Sequence, residues 1–195
     1  MEIFDVCDEY GIPTGETVER TAAHRDGIRH RTSHIWVVRK NGCGGYEVLL
    51  QQRSEDKDSF PLRYDTSSAG HIMAGDEPLQ SAMRELKEEL GIEAKEEDLR
   101  YIGTFLNRYE EVFHGELFKD HEISFVYIYE RPVDIKDLIL QKEEVREVRW
   151  FSLIYIIEET LKGNKMFCVP IGSLELLKTH LDDREKDIQE RNSKK

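Results

Sequence analysis

Glu85, Glu88 and Glu89 stand at i, i+3 and i+4, a spacing that brings three carboxylates out on one face of a helix. Like charges so placed cost an isolated helix about 0.2–0.5 kcal/mol per pair, a penalty that reverses when a divalent cation sits among them. The competing reading is a solvated surface helix in which Arg84 pairs with Glu88 at i+4. The residues ahead of the glutamates favour the first. Gly70 and Gly75 bracket a short loop feeding the helix start, where free N–H groups and the helix dipole attract an anion. Hard oxygen ligands suit Mg²⁺, which also binds substrate phosphates and activates water. The reaction class expected is hydrolysis of a phosphoric anhydride.

Those glutamates need a rigid support, and the pattern around them supplies one. Pro78 opens a helix in which Leu79, Ala82, Met83, Leu86 and Leu90 recur at helical spacing, and Gly91 stops it. His34 to Arg39 and Tyr46 to Arg53 are apolar, β-branched runs joined by Asn41-Gly42-Cys43-Gly44-Gly45, which predicts a hairpin. Polar and turn residues dominate from Ser54 to Met73, a segment too long to be idle in a compact domain and therefore expected to be a functional loop. Arg100 to Leu106, Ile123 to Arg131 and Val145 to Phe151 read as further strands. Helices are expected from Ser152 to about Lys162 and from Ser173 to about Leu181. This α/β (α+β) order is not a repeated βαβ unit, so a mixed sheet is expected.

Length and composition set the frame. A chain of 195 residues, 38% hydrophobic, suits one domain, expected over 1–181, with a charged helix end or tail over 182–195. The net charge of −12 disfavours general nucleic-acid or anionic-membrane binding. No apolar stretch approaches the roughly 20 residues of a membrane span, and Met1 to Asp5 lacks the features of a secretory signal, so a cytoplasmic protein is expected. Cys7, Cys43 and Cys168 have no disulfide or zinc spacing and read as reduced packing residues.

Gly70-His-Ile-Met-Ala-Gly-Asp76, followed by Arg84-Glu85-Leu86-Lys-Glu88-Glu89-Leu-Gly91-Ile92, resembles the Nudix box. Gly70, Arg84, Glu85, Leu86, Glu88, Glu89, Gly91 and Ile92 fall in register over 70–92, and Asp76 stands where the family has Glu. The resemblance implies an α/β/α sandwich around a mixed β-sheet and a hydrolase acting on a nucleoside diphosphate derivative or related pyrophosphate. It further implies Mg²⁺ or Mn²⁺ held by Glu85, Glu88, Glu89 and Gly70. Phe4 to Glu9, Ala23-His24, His30-Arg31-Thr32, Gln51-Gln52-Arg53 and Phe60-Pro61 resemble the branch that also contains type 1 isopentenyl-diphosphate isomerase, so the likeness covers nearly all of 4–170.

The isomerase is the rival reading. Its proton transfer uses a Cys immediately before Gly-His and a Glu on the opposite face. Here Ala69 precedes Gly70-His71, and alanine neither gives nor takes a proton. Glu122 matches the isomerase Glu and stands as a metal ligand or base; for hydrolysis Glu88 is the expected base, with Glu122 the alternative. A non-catalytic nucleotide-binding module is the third reading, disfavoured by the intact box carboxylates. His24, His30 and His71 lie near the isomerase metal histidines, but His24 to His30 spans six residues where that family has seven, which favours structural roles. Arg53 and Lys57 align with basic positions that hold the isomerase diphosphate, and His71 joins them as a substrate-binding candidate. Trp36 and Trp150 are read as core. The partner expected is a small-molecule diphosphate substrate, with a homodimer left open.

Overall fold

The computed structural model describes residues 2–193. Its centre is a mixed sheet in which β3 (His30–Lys40) is the hub. The outer half of β3 forms the expected hairpin with β4 (Tyr46–Arg53), Val38 facing Val48. Asn41 closes the turn, its Oδ1 accepting from the amides of Cys43 and Gly45. The inner half pairs antiparallel with β6 (Ser68–His71), and along its length β3 runs parallel to β8 (Glu116–Tyr129). Beyond these lie β5 (Tyr64–Asp65) and β9 (Val145–Ser152) against β4, and β7 (Leu99–Phe113) against β8. At the start of the chain, β1 (Ile3–Cys7) and β2 (Pro13–Glu19) make a separate antiparallel pair, followed by α1 (Arg20–Asp26).

Alternation along the strands produces two cores. Ile35, Val37, Leu49, Tyr127 and Tyr129 point to one face, where Ala82, Leu86 and Leu90 of α2 (Pro78–Leu90) cover them. Trp36, Val38, Val48, Leu50, Val126 and Ile128 point to the other, covered by α3 (Leu153–Leu161) and α4 (Ile171–Ser193). The fold is thus an α/β/α sandwich. Buried Trp36 satisfies its indole by donating to Ser173 Oγ at 2.9 Å, which ties α4 to the hub strand.

Several boundaries differ from the sequence expectation. The 54–73 loop contains β5 and β6, short strands paired to β4 and β3. The expected strands at 100–106 and 123–131 are parts of one long hairpin, turned at His114-Gly115, both at positive φ. Helix α4 starts at Ile171, before Ser173, and runs through the charged segment to Ser193, with Arg184 paired to Glu130; 194 and 195 lie outside the described residues. The packing assignment of the cysteines holds for buried Cys7 but fails for Cys43, which is exposed in the hairpin turn. Among the described residues no helix is long and apolar enough to cross a membrane.

Gly91 ends α2 in the left-handed region (φ 71°), and a Cβ there would come within 2.9 Å of Ile139 Cβ and 3.1 Å of its backbone nitrogen. Gly91→Ala is expected to cost about 1–3 kcal/mol, read as a lower urea midpoint at unchanged m-value. An unshifted midpoint would mean that this cap is not a constraint.

Candidate active site

One cavity of about 580 Å³ opens between α2, the 54–63 segment and the inner ends of β3, β6, β7 and β8. It brings together Arg53, Lys57, Gly70, His71, Glu85, Glu88, Glu89 and Glu122, the whole expected set. Asp76 is not among them; it lines a separate cavity together with Glu77.

The carboxylates of α2 are positioned by its apolar stripe. With Ala82, Leu86 and Leu90 in the core, Glu85 and Glu89 are carried inward and Glu88 to the rim. Glu89 is buried and accepts from the Ala69 amide at 3.1 Å and weakly from Gln51 Nε2 at 3.3 Å. Glu85 lies over Gly70 so closely that a Cβ on Gly70 would overlap its carboxylate. Burial and the neighbouring Glu89 push the Glu85 carboxyl up to about 8, against the opposing pull of Arg84. Burial also raises Glu89, opposed by Ser68, Lys57, Gln51 and the Ala69 amide. Arg84 bridges Glu85 at 2.9 Å and half-exposed Glu88 at 3.3 Å, and donates to the His71 carbonyl at 3.1 Å. The i+4 pair of the surface-helix reading therefore exists, alongside the inward carboxylates. Crowded, desolvated carboxyl oxygens over a glycine are a donor set suited to Mg²⁺ or Mn²⁺.

A second group faces it. The six-residue interval from His24 to His30 does not keep them apart, because Gly27 ends α1 at φ 69° and turns the chain into β3. His24, His30 and His71 offer nitrogens all within 4.8 Å of one another. His24 Nε2 lies 3.2 Å from His71 Nε2, and Glu122 Oε1 lies 3.5 Å from His30 Nε2 and 3.4 Å from His71 Nε2. His24 Nδ1, His30 Nε2 and Asp120 Oδ1 are buried with no hydrogen-bond partner. Burial, aided by His71 and His30, lowers the His24 imidazole to about 3. Burial would raise Glu122, but the close imidazoles of His30 and His71 hold it well below the usual range, while burial and Glu122 push Asp120 well above it. Imidazole nitrogens converging with carboxylate oxygens are a donor set that fits a borderline cation. Sequence reading missed Asp120 as a member; its alternation with Glu122 on β8 was the available signal.

Arg53 and Lys57 are already engaged. Arg53 pairs with Asp65 at 3.0 Å and donates to Ser59, and although burial works against its charge, Asp65 holds the proton more firmly than usual. Lys57 is paired with Glu144. Phe60, at positive φ, closes the cavity mouth against Tyr109 and Phe113 at 5.5 and 4.8 Å between centroids; none of the three was anticipated from sequence.

A mixed sheet between helix layers, with a glycine-led helix turning carboxylates onto its edge, is the architecture of the Nudix fold. The NUDIX domain family model matches residues 28–166. The chain is 42% identical over 151 residues to Nudix hydrolase 3 of Arabidopsis thaliana, covering 76% of this chain but only 19% of that protein's length. It is 31% identical over 154 residues to an isopentenyl-diphosphate Delta-isomerase of a Jannaschia species, covering 79% and 81%. The solved structure of DR0079 from Deinococcus radiodurans superposes with a TM-score of 0.61 at 18% identity, over 83% of this chain and 90% of that one. The chain belongs to the Nudix family, on the branch related to isopentenyl-diphosphate isomerase.

Glu85 keeps its proton to about pH 8 when folded, against an ordinary value of 4.5. That contribution to stability is complete below pH 4.5 and is lost as pH rises through 8. The metal-free melting temperature should therefore fall between pH 5 and pH 8, and Glu85→Gln should flatten the fall and melt several degrees higher at pH 8, at about 2–4 °C per kcal/mol. Parallel melting curves for the two proteins at both pH values would exclude this charge crowding.

Proposed function

We propose that the chain is a divalent-cation-dependent pyrophosphatase that cleaves a diphosphate linkage in a nucleoside diphosphate derivative or related small molecule. The observation that carries this reading is the pair Glu85 and Glu89, the first largely buried over Gly70 and the second buried against the Ala69 amide, with Arg84 the cation paired to Glu85. Glu85, Glu88, Glu89 and the Gly70 carbonyl would hold Mg²⁺ or Mn²⁺, which when bound polarises the diphosphate and makes water more acidic. Half-exposed Glu88 takes the proton from the attacking water as general base. The water oxygen forms a bond to phosphorus as the bond to the bridging oxygen breaks, and the leaving phosphate departs with that electron pair. Arg53 and Lys57 guide the remaining phosphate oxygens, and Arg84 keeps Glu85 and Glu88 in place.

A second cation at His24, His30, His71, Asp120 and Glu122 is favoured by the unpartnered nitrogens there. It makes Glu122 a ligand and leaves Glu88 as the base. Isomerisation is disfavoured by Ala69, which faces the same cavity where the alternative chemistry requires a thiol.

The test is a panel of nucleoside di- and triphosphates, nucleotide sugars, dinucleotides and isopentenyl diphosphate, followed for nucleotide monophosphate, phosphomonoester and phosphate products and for isomer formation. Hydrolysis of at least one nucleotide is expected, without conversion of isopentenyl to dimethylallyl diphosphate. Glu85→Gln and Glu89→Gln should abolish Mg²⁺-dependent turnover, and Glu88→Gln should lower kcat by about 10²–10⁴-fold at little changed KM. Near-normal turnover of the first two at saturating Mg²⁺ would overturn the assignment; robust isomerisation by the unmodified protein would restore the rival reading.

A further inference from the structure

The central sheet ends on β7. Among the described residues this long strand pairs with β8 on one side and with no strand on the other. Its inner part is covered by α4, where Gly103 approaches Leu176 and Gly172 approaches Phe105. The outer part, 106–112, projects beyond that cover as one arm of the ribbon turned at His114-Gly115. A free edge is a row of unpaired N–H and C=O groups, which is a template for another strand.

Alternation divides the side chains of this part between two faces. Asn107 and Tyr109 line the cavity, and Phe113 packs against Phe60 on that side. Leu106, Arg108, Glu110 and Val112 share the other face, and all four are exposed, Leu106 at 55% and Val112 at 63%. No ion pair within 4.0 Å engages Arg108 or Glu110 among the described residues. The outer face therefore reads apolar, basic, acidic, apolar along the free edge.

That order complements itself when the strand is reversed. An antiparallel pair related by a two-fold axis through Tyr109, normal to the sheet, keeps matching faces together. Arg108 of one copy then stands opposite Glu110 of the other, twice, and Leu106 stands opposite Val112, twice. On the cavity face Tyr109 meets Tyr109 and Asn107 meets Glu111. Charged residues usually blunt an exposed edge, and here they deter the neighbouring registers. Moving the axis by one residue brings Arg108 onto Arg108 or Glu110 onto Glu110, and like charges directly opposite are destabilising.

We propose that the outer half of β7 is a self-association surface, on which a second copy of the chain pairs antiparallel about a two-fold axis at Tyr109 and joins the two sheets edge to edge. Such an interface is isologous and closes at two copies, leaving no further β7 edge for a third. It sets both cavities on the same side of one continuous sheet, each with its Tyr109 wall at the junction. Nothing in the pairing depends on the reaction catalysed, so it stands or falls separately from the pyrophosphatase reading. A contact confined to one short strand pair lies at the weak end of the interface range, below about 1,200 Å², and the expected equilibrium is a concentration-dependent one.

Sedimentation equilibrium from about 5 to 500 μM, a range chosen for an interface of that size, should show monomer passing to dimer. Arg108→Glu and Glu110→Arg each turn two opposite-charge pairs into two like-charge pairs, and each should weaken association at least about tenfold. The double reversal restores both pairs and should restore the dimer. Melting curves at low concentration should match among the four proteins, which separates lost pairing from lost folding. Hydrogen exchange locates the contact: within 106–112, the amides that do not bond to β8 should slow as the concentration of the unmodified protein rises. A protein that stays monomeric throughout, single reversals that associate as the unmodified chain does, a double reversal that stays monomeric, or exchange in 106–112 that ignores concentration would each overturn the pairing.

Discussion

Two carboxylates forced together inside the protein set the terms for the rest of this structure. Glu85 and Glu89 are one turn apart on α2, and that helix cannot rotate them away, because Ala82, Leu86 and Leu90 lock the adjoining stripe into the core. Each buried leucine is worth roughly 1.5–3 kcal/mol, more than the repulsion of one like-charged pair on a helix, at about 0.2–0.5 kcal/mol. The core therefore wins and the carboxyl groups stay, with Glu85 pushed up to about 8 by burial and by Glu89. Everything near them accommodates that outcome: Gly70 has no Cβ to collide with Glu85, the Ala69 amide and Gln51 turn toward Glu89, and Arg84 spans Glu85 and Glu88.

How far the sequence could be read follows from the range of the interactions. The helix 78–90 and its glutamates were legible because periodicity, a proline start and a glycine stop all lie within one segment. The 30–53 hairpin was legible for the same reason. The 99–129 hairpin was not recognised as one unit, because its outer half alternates charges and apolar residues on a ribbon with few core contacts, and a bulge between Tyr101 and Gly103 breaks the period. The histidine cluster was masked differently. Its members are far apart in sequence, and the interval of six looked wrong until the left-handed turn at Gly27 was seen to redirect the chain. Arg53 was expected to face phosphate alone; its link to Asp65 comes from strand pairing, which residue spacing does not reveal.

Membership in a branch that includes isomerases sharpens the meaning of single positions. The donor atoms of the histidine cluster and of α2 could accompany either chemistry, since both concern a diphosphate and its counter-ions. What differs is the wall at the start of β6 and beside it on β3. Ala69 puts a methyl group on β6 at this wall, and His34 lies opposite it on β3. On the pyrophosphatase reading, the methyl of Ala69 leaves no side chain at this point of the wall to move a proton.

Charge imposes the last constraint. Four basic side chains line the cavity, Arg20, Arg53, Lys57 and Arg84, and every one is in an ion pair with a carboxylate. Eleven aspartates and glutamates line the same space, in a protein of net charge −12. A diphosphate approaching such a surface meets repulsion that four already committed cations do not offset, and the low dielectric of the cavity strengthens it. Mobile cations are the remaining source of positive charge, so on the pyrophosphatase reading cation binding and substrate binding are coupled. On that reading, Arg53 and Lys57 guide phosphate oxygens only in company with bound divalent ions, and the affinity for substrate should depend on divalent-ion concentration more steeply than on any one arginine.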